Sequence, residues 1–453
     1  MAGPTVLIMA AGEGTRMRSS VPKMMHPVCG RPMVAWPVAA AREAGAERVA
    51  VIVSPDRDLS GALPEGTETV VQPEPDGTGG AIRAALDLVR ESETVVVVPG
   101  DHPLISGELL GLLLEAHSEA GAAATVMSVE LDDPGAYGRI VRGDDGEVEG
   151  IVETKHPEDV PADILAIREI STSTFAFDAA ALAAALERLT NDNEAGEYYL
   201  GDVLPLLGAE GLKVAAWICP DPAANLGDNH RADLALAAAE ARRRIARRHM
   251  LAGVTITDPA ATWIDAEVEI GADATIEPGC VLKGATRIGS GSDLRAHCYL
   301  ADAEVGDGCS VGPFAHLRPG TRLAAGAKAG AFVEIKNSEI GAGTKVPHLS
   351  YVGDAEVGAG SNLGAGTITA NYDGFRKNRT KIGEGARIGV HSSLVAPVDV
   401  GDGAYTGAGA VIREDVPPGA LGVSADEQRN IEGFAERKRA EQEANEDTGE
   451  DRG

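Results

Sequence analysis

Two hydrophobic rhythms divide the chain. In the first half, short β-branched runs alternate with alanine-rich stretches: Thr5-Val-Leu-Ile-Met9, then residues 34–44, then Arg48-Val-Ala-Val-Ile-Val53. A further run, Thr94-Val-Val-Val-Val98, stops at Pro99-Gly100-Asp101. Runs that are apolar at every position predict strands buried on both faces, hence a mostly parallel, Rossmann-like sheet flanked by helices, an α/β arrangement. Ligands in such sheets bind at the carboxyl ends of the strands, where the loops 10–16 and 99–103 fall. Residues 228–250 contain strong helix formers and neither glycine nor proline, which predicts a helical linker.

Beyond the linker the period becomes six. An aliphatic residue stands at Ile264, Ile270, Ile276, Leu282, Ile288, Leu294 and Leu300, and the register resumes at Val305, Val311, Leu317, Leu323, Ala329 and Ile335. It continues through Ile340, Val346 and Val352, and later through Ile382, Ile388, Leu394, Val400, Thr406 and Ile412. Six matches neither the helical nor the strand period. It predicts a parallel β-helix with one inward aliphatic on each face of a three-sided coil, and the glycines that often follow are expected to permit tight corners. Each coil has little core of its own and depends on its neighbours. Between Leu363 and Ile382 the repeat opens into Thr369-Ala-Asn-Tyr-Asp-Gly-Phe-Arg-Lys-Asn378, which is too polar for a coil face and is expected to loop out. The domains predicted are thus 1–227, the linker 228–250, the β-helix 251–424 and a charged tail 425–453, a frayed helix or a disordered segment.

Charge narrows the partners. With 40 Lys and Arg against 69 Asp and Glu, the net charge of −29 argues against nucleic acid and anionic membranes. Any basic residue in a glycine-rich loop therefore carries extra weight. The five cysteines form no C-x-x-C pair and read as free thiols in a reducing compartment. The apolar run at 5–11 is too short for a signal peptide, and no segment reaches the length of a membrane span, so a cytoplasmic location is expected.

Gly12-Glu-Gly-Thr-Arg16 follows a strand, so its backbone N–H groups can approach phosphate oxygens while Arg16 adds charge-assisted bonds. It is neither a Walker loop nor the dinucleotide fingerprint, and on its own it reads equally as a tight turn. Lys23 lies within reach of the same loop. Asp101 places a lone carboxylate at a strand end, where Mg2+ could use it together with substrate phosphates, or where it could simply cap a turn. In the second half His348 stands where the coil turns outward, with Arg318, Lys336, Tyr351, Asn362, Asn371, Tyr372 and Lys377 nearby in sequence. Amine acylation needs a base, cations for a phosphate and hydrogen bonds to a sugar, and this set supplies all three. A lone surface histidine is the alternative.

Met9-Ala-Ala-Gly-Glu-Gly-Thr-Arg-Met17 with Pro22-Lys23 resembles the signature of sugar-1-phosphate nucleotidyltransferases. With Gln72, Gly77-Thr78, Pro99-Gly-Asp101, Tyr137-Gly-Arg139, Gly150-Ile-Val-Glu153, Gly196-Glu-Tyr-Tyr199 and Asp228-Asn-His-Arg231, the first half resembles the uridylyltransferase part of a bifunctional family. That family combines UDP-N-acetylglucosamine pyrophosphorylase with glucosamine-1-phosphate N-acetyltransferase and supplies a cell-wall precursor. Phe314-Ala-His-Leu-Arg-Pro-Gly320, Phe332-Val-Glu-Ile-Lys336, His348-Leu-Ser-Tyr-Val-Gly-Asp354 and Asn371-Tyr-Asp-Gly374 resemble its acetyltransferase part.

The resemblance implies roles residue by residue. Ala10, Ala11 and Gly12 would face the nucleotide, Arg16 and Lys23 the UTP phosphates, and Gln72, Gly77 and Thr78 the uracil. Gly138, Glu153 and Ser171 would line the sugar pocket, and Asp101 with Asn229 would ligate Mg2+. In the second half His348 would be the base, Arg318 and Lys336 would bind the sugar phosphate, and Tyr351 and Asn362 the sugar. Asn371, Tyr372, Lys377, Val390 and Ala408 would face acetyl-CoA. The resemblance also implies a left-handed coil and a homotrimer in which the loop around Lys377 reaches a neighbouring subunit. Three positions depart from the pattern. Ser171 stands for an asparagine, Val390 for a serine near the acyl donor, and Ala425 for an arginine near the coenzyme phosphates. The rival expectations are a uridylyltransferase whose β-helix only holds a trimer together, and a non-catalytic sensor.

Overall fold

In the computed structural model the described residues are 3–144, 146–154, 156–193, 195–225, 227, 230–424 and 430–448. Contacts divide the chain into two compact units, residues 1–269 with 281–286, and residues 270–280 with 287–453.

The first unit is built on a mixed sheet. Its strands are β1 (Thr5–Met9), β2 (Arg48–Val53), β3 (Glu68–Val71), β4 (Thr94–Pro99), β5 (Ala124–Glu130), β6 (Arg139–Arg142), β7 (Val148–Val152), β8 (Glu169–Asp178) and β9 (Val214–Ile218). They run in the order β9-β5-β8-β4-β1-β2-β3, with β6 pairing β8 and β7. The all-apolar runs lie at the centre: Val95, Val96, Val97 and Val98 are fully buried, and β1 pairs in parallel with both β4 and β2. β7 and β8 run opposite to the other strands, which share one direction, so the sheet is mixed but most of its strands point the same way. Two apolar layers cover its faces, one around Leu7, Val97 and Phe177, the other around Ile8, Val98 and Leu110. Parallel β1 and β4 therefore end side by side, and Gly100 donates its N–H to the Met9 carbonyl at 2.8 Å. This brings the loop after β1 beside Asp101.

The helix Arg231–Leu251 starts with His230 and Asp233 in a reciprocal capping box. Glu240 takes hydrogen bonds from Arg243 and Arg244, of which the first contributes most to holding its pKa down to about 2. The helix, the early coil strands Thr255–Ile256 and Trp263–Ile264, and the strand Val281–Lys283 group with the first unit.

The second unit is a stack of short parallel strands in three sheets. One contains Thr275–Ile276, Asp293–Leu294, Ser310–Val311, Lys328–Ala331, Lys345–His348 and Asn362–Leu363. A second contains Tyr299–Ala301, His316–Leu317, Glu334–Lys336, Tyr351–Gly353 and Ile368–Ala370. A third runs from Arg287–Ile288 through Glu304–Val305 to Val398–Val400. Ile276 pairs with Leu294 and Leu294 with Val311, so one coil takes 18 or 17 residues, which explains why the six-residue register slips by one.

Every register position from Ile276 to Ile412 named above is buried; Ile270, at the edge of the unit, is half-buried. A second inward register stands two residues earlier and is made of small residues: Ala274, Cys280, Ser292, Cys298, Ala303, Cys309, Ala315, Thr321 and Ala327 are all buried. Three of the five cysteines are thus core residues, and all five are buried and unpaired.

Two expectations need correction. The glycine after each aliphatic is not there for its freedom of φ: a Cβ at Gly306 or Gly341 would lie 2.9 or 2.6 Å from the backbone nitrogen of the next coil. Close coil-to-coil approach excludes a side chain there. The looped-out segment also begins later than its polarity suggested. Ile368–Ala370 is a coil strand with Thr369 fully buried, because the Thr369 hydroxyl donates to the Gly353 carbonyl at 2.9 Å and accepts from the Gly353 N–H at 2.7 Å. The excursion is residues 371–379, and the coil resumes at Thr380–Ile382. The charged tail carries the helix Phe434–Thr448.

Because the small register is completely filled, Ala327→Leu should destabilise the β-helix by about 1–3 kcal/mol. The exposed Lys381→Gln should shift it by less than about 0.5 kcal/mol. Denaturant unfolding followed on the β-helix transition measures both.

Candidate active sites

The first cluster lies at the carboxyl ends of β1 and β4. The Lys23 ammonium donates to Asp101 Oδ2 at 2.6 Å, and both side chains are largely covered. Burial works against a charge on Asp101, yet the neighbouring His102 ring and the Lys23 ammonium hold its carboxyl below the usual carboxylate range. The stem of Lys23 is gripped from above: Gly14 takes φ 63°, and a Cβ there would sit 2.5 Å from Lys23 Cβ. The turn needs glycine for both reasons. Arg57, which sequence reasoning missed, donates to the Gly12 carbonyl at 2.6 Å and pins the same loop. Ala10 is buried at the end of β1, Ala11 is half-buried, and Gly12 and Arg16 are exposed.

Gln72, at the end of β3, is 5 % exposed and donates its amide to Asp76 Oδ1 at 2.8 Å and to the Gly77 carbonyl at 3.1 Å. With both N–H groups committed, its oxygen is the atom left to accept from a ligand. Asp76 is a second residue the motif reading passed over. The Thr78 hydroxyl accepts from the Leu200 N–H at 2.9 Å, and Gly79 donates to the Tyr198 carbonyl at 2.7 Å, so the Gly196-Glu-Tyr-Tyr199 motif braces this loop. Arg83 stacks over the Tyr198 ring at 4.2 Å from its centroid.

Gly138, Glu153 and Ser171 lie together. The Ser171 N–H donates to the Gly138 carbonyl at 2.9 Å, and a Cβ at Gly138 would approach Glu153 Oε1 to 3.4 Å. Ser171 is buried and its hydroxyl accepts from the Ser173 N–H at 3.1 Å, inside a bulge of β8. Burial, Asp233 and Asp101 together push the Tyr137 phenol up. Asn229 lies outside the described residues. Two residues before it, Gly227 packs on His102: a Cβ there would be 2.8 Å from Nε2.

Among the described residues no group of three or more His, Cys, Asp or Glu could hold a metal ion. A single strand-end carboxylate kept ionised does fit Mg2+, which binds through one or two carboxylates and takes its remaining ligands from phosphates and water.

The second cluster is on the β-helix. Arg318 and Lys336 stand at equivalent places on successive coils, with Arg318 donating to Glu334 at 2.9 Å. One coil further the equivalent position is Gly353, where a Cβ would come within 2.4 Å of the Tyr351 hydroxyl and 2.8 Å of Asn371 Nδ2. This missing side chain lets Tyr351 and Asn371 meet, their polar atoms 3.4 Å apart. The like charge of neighbouring Lys336 pulls the Lys377 pKa down, partly offset by Asp354. His348 ends a strand of the adjacent sheet, exposed, and Asn362 belongs to the next coil of that sheet, paired with Lys345. Tyr372, Val390 and Ala408 are exposed. Ala425 lies outside the described residues. Asp354, buried under Asn371, was quoted in a motif but not recognised as part of a site.

Comparison with known proteins gives matches in both halves of the chain. The MobA-like NTP transferase domain matches residues 6–200, and the bacterial transferase hexapeptide family matches residues 379–414. The bifunctional protein GlmU of Kineococcus radiotolerans is 48% identical over 96% of this chain and 92% of its own length. Those of Streptomyces avermitilis and Thermobifida fusca are 46% and 44% identical, each over 96% of this chain and 94% of their own. Two transferase halves, matched end to end by relatives of this similarity, place the chain in the family of bifunctional GlmU proteins.

Proposed function

We propose that this chain makes UDP-N-acetylglucosamine in two reactions at two separate centres, acetyl transfer on the β-helix and uridylyl transfer at the sheet. The observation that carries this reading is the pair of polar clusters, one in each unit, each assembled from the motifs of its own half. In this reading the functional domains are 1–227 and 251–424, joined by the linker 228–250, which includes most of the helix Arg231–Leu251, with 425–453 as a tail.

In the first reaction His348 removes a proton from the amine of glucosamine-1-phosphate. The nitrogen lone pair attacks the thioester carbon of acetyl-CoA, the C–N bond forms as the C–S bond breaks, and CoA leaves as the thiol after taking up a proton. Arg318 and Lys336 hold the phosphate, Tyr351 and Asn362 the sugar, and Asn371 orients the amine. Tyr372, Lys377, Val390 and Ala408 face the coenzyme. A homotrimer belongs to the same reading: the loop 371–379 reaches a neighbouring chain, and Phe375, 96 % exposed within it, suits an apolar anchor.

In the second reaction a phosphate oxygen of N-acetylglucosamine-1-phosphate attacks the α-phosphorus of UTP in line, and the bond to pyrophosphate breaks. Ala10, Ala11 and Gly12 offer backbone to the nucleotide. Gln72 accepts the uracil N3–H through its remaining oxygen, with Gly77 and Thr78 closing around the ring. Gly138, Glu153 and Ser171 hold the sugar. Arg16 and Lys23 neutralise the phosphates. Asp101 and Asn229 would hold Mg2+, which would supply further positive charge where two anions meet. Without nucleotide Lys23 neutralises Asp101 instead, so Lys23 has two alternative partners.

A cytoplasmic site of action fits the buried, unpaired cysteines. No helix among the described residues is long and apolar enough to cross a membrane.

Separate assays of the half-reactions test the assignment. Asp101→Ala should lower uridylyl transfer by about a hundredfold or more and leave acetylation intact. His348→Ala should do the reverse, by about 10²–10⁴. Loss of both activities in either variant would argue against independent centres.

Lys23→Gln should bind Mn2+ more tightly than wild type when nucleotide is absent, by roughly tenfold, because it removes the competing cation. Paramagnetic resonance of free Mn2+ reads this without turnover, and unchanged binding would refute the competition. Since the Asp101 pKa is depressed, its charge persists as pH falls. In Lys23→Gln one of the charges that depress it is gone, so the Mn2+ affinity of that variant should begin to fall at a higher pH than that of wild type, read by the same resonance titration across pH.

A further inference from the structure

The Asn371 side chain is an amide, and its value to a reaction depends on which end faces the substrate. Its Nδ2 donates to Asp354 Oδ2 at 2.5 Å, while Asp354 Oδ1 accepts from Asn337 Nδ2 at 2.6 Å. An ionised carboxylate only accepts, so both amides must present nitrogen to it. Asp354 is itself held rigidly. It is 6 % exposed, takes the left-handed φ of 51° that aspartate tolerates, donates its N–H to the Lys336 carbonyl at 3.0 Å and accepts from the Thr380 N–H at 3.2 Å. The carboxylate thus lies at a coil corner between two amides, close to the Lys336 and Lys377 ammonium groups.

We infer that Asp354 is a positioning residue for acetyl transfer: by claiming the nitrogen of Asn371 it turns the Asn371 carbonyl oxygen toward the acceptor amine. This rests on the assignment of the acetyltransferase centre above. An amine approaching Asn371 Oδ1 donates one N–H to it, which holds the nitrogen with its lone pair free for the thioester carbon. If Asn371 were reversed, its NH2 would oppose the N–H groups of the amine, donor against donor.

Asp354→Asn is nearly isosteric but removes the acceptor-only character, so Asn371 can turn over. Its kcat for acetyl transfer should fall by about tenfold or more, with the KM for acetyl-CoA within about twofold of wild type and uridylyl transfer unchanged. Because Asp354 acts through Asn371, the double variant Asn371→Ala with Asp354→Asn should be no slower than Asn371→Ala alone. Asn337→Ala, which removes only the other donor, should keep acetylation within about twofold of wild type. Wild-type kcat in Asp354→Asn, losses that multiply in the double variant, or an equal loss in Asn337→Ala would overturn the inference and leave a purely structural corner. If Asn371→Ala itself acetylates normally, the assignment of Asn371 fails, and the inference with it; the single-variant result separates the two cases.

Discussion

In-register stacking of one coil on the next is the constraint on which the hexapeptide half depends. Each six-residue edge turns two side chains inward, one aliphatic and one small, and the parallel backbone bonds hold every coil at the same level as its neighbours. Because successive coils place equivalent residues in columns, a single corner can be made chemically rich. Arg318, Lys336 and Gly353 form one such column, and Asn337 and Asp354 lie along another. The same strict packing that leaves no room for a Cβ at Gly306 leaves deliberate room at Gly353, and that gap lets Tyr351 reach Asn371.

The sheet of the first unit meets a different requirement. Buried parallel strands with apolar residues at every position end together, so the loops after β1 and β4 are brought side by side before any polar residue contributes. Lys23 and Asp101, 78 residues apart in sequence, then neutralise one another in a largely covered place. Burial alone would penalise the Asp101 charge, and the Lys23 ammonium beside it helps keep that carboxyl ionised and ready for exchange with a charged ligand. The loop carrying Gln72, Asp76 and Thr78 follows the same logic, for its groups are held by hydrogen bonds to the Tyr198 region rather than by packing.

Much of this was legible in the sequence, for identifiable reasons. Thr5–Met9 and Arg48–Val53 stand where the apolar runs placed them, because strands buried on both faces leave no ambiguity of period. The aliphatic register of six marked the β-helix, since nothing but a three-sided coil repeats at that interval. The small register was missed because Ala, Ser, Thr and Cys do not stand out against a glycine-rich background. The break at Thr369 was misjudged because polarity was read as exposure, whereas a buried threonine can satisfy its hydroxyl on the neighbouring coil. Asp76, Arg57 and Asp354 escaped notice because each acts on another residue's orientation, which has no local signature.

The sequence by itself determined the two architectures, the order of the motifs and the residue types available for each reaction, since these follow from periodicity and from chemistry carried along the chain. Only the tertiary structure decided that Lys23 faces Asp101, that Gln72 keeps only its oxygen for a ligand, and that Asn371 is fixed by the carboxylate beneath it. The physical reason is common to all three. A side chain's available donors and acceptors are what remain after its neighbours have taken theirs, and those neighbours are chosen by the fold.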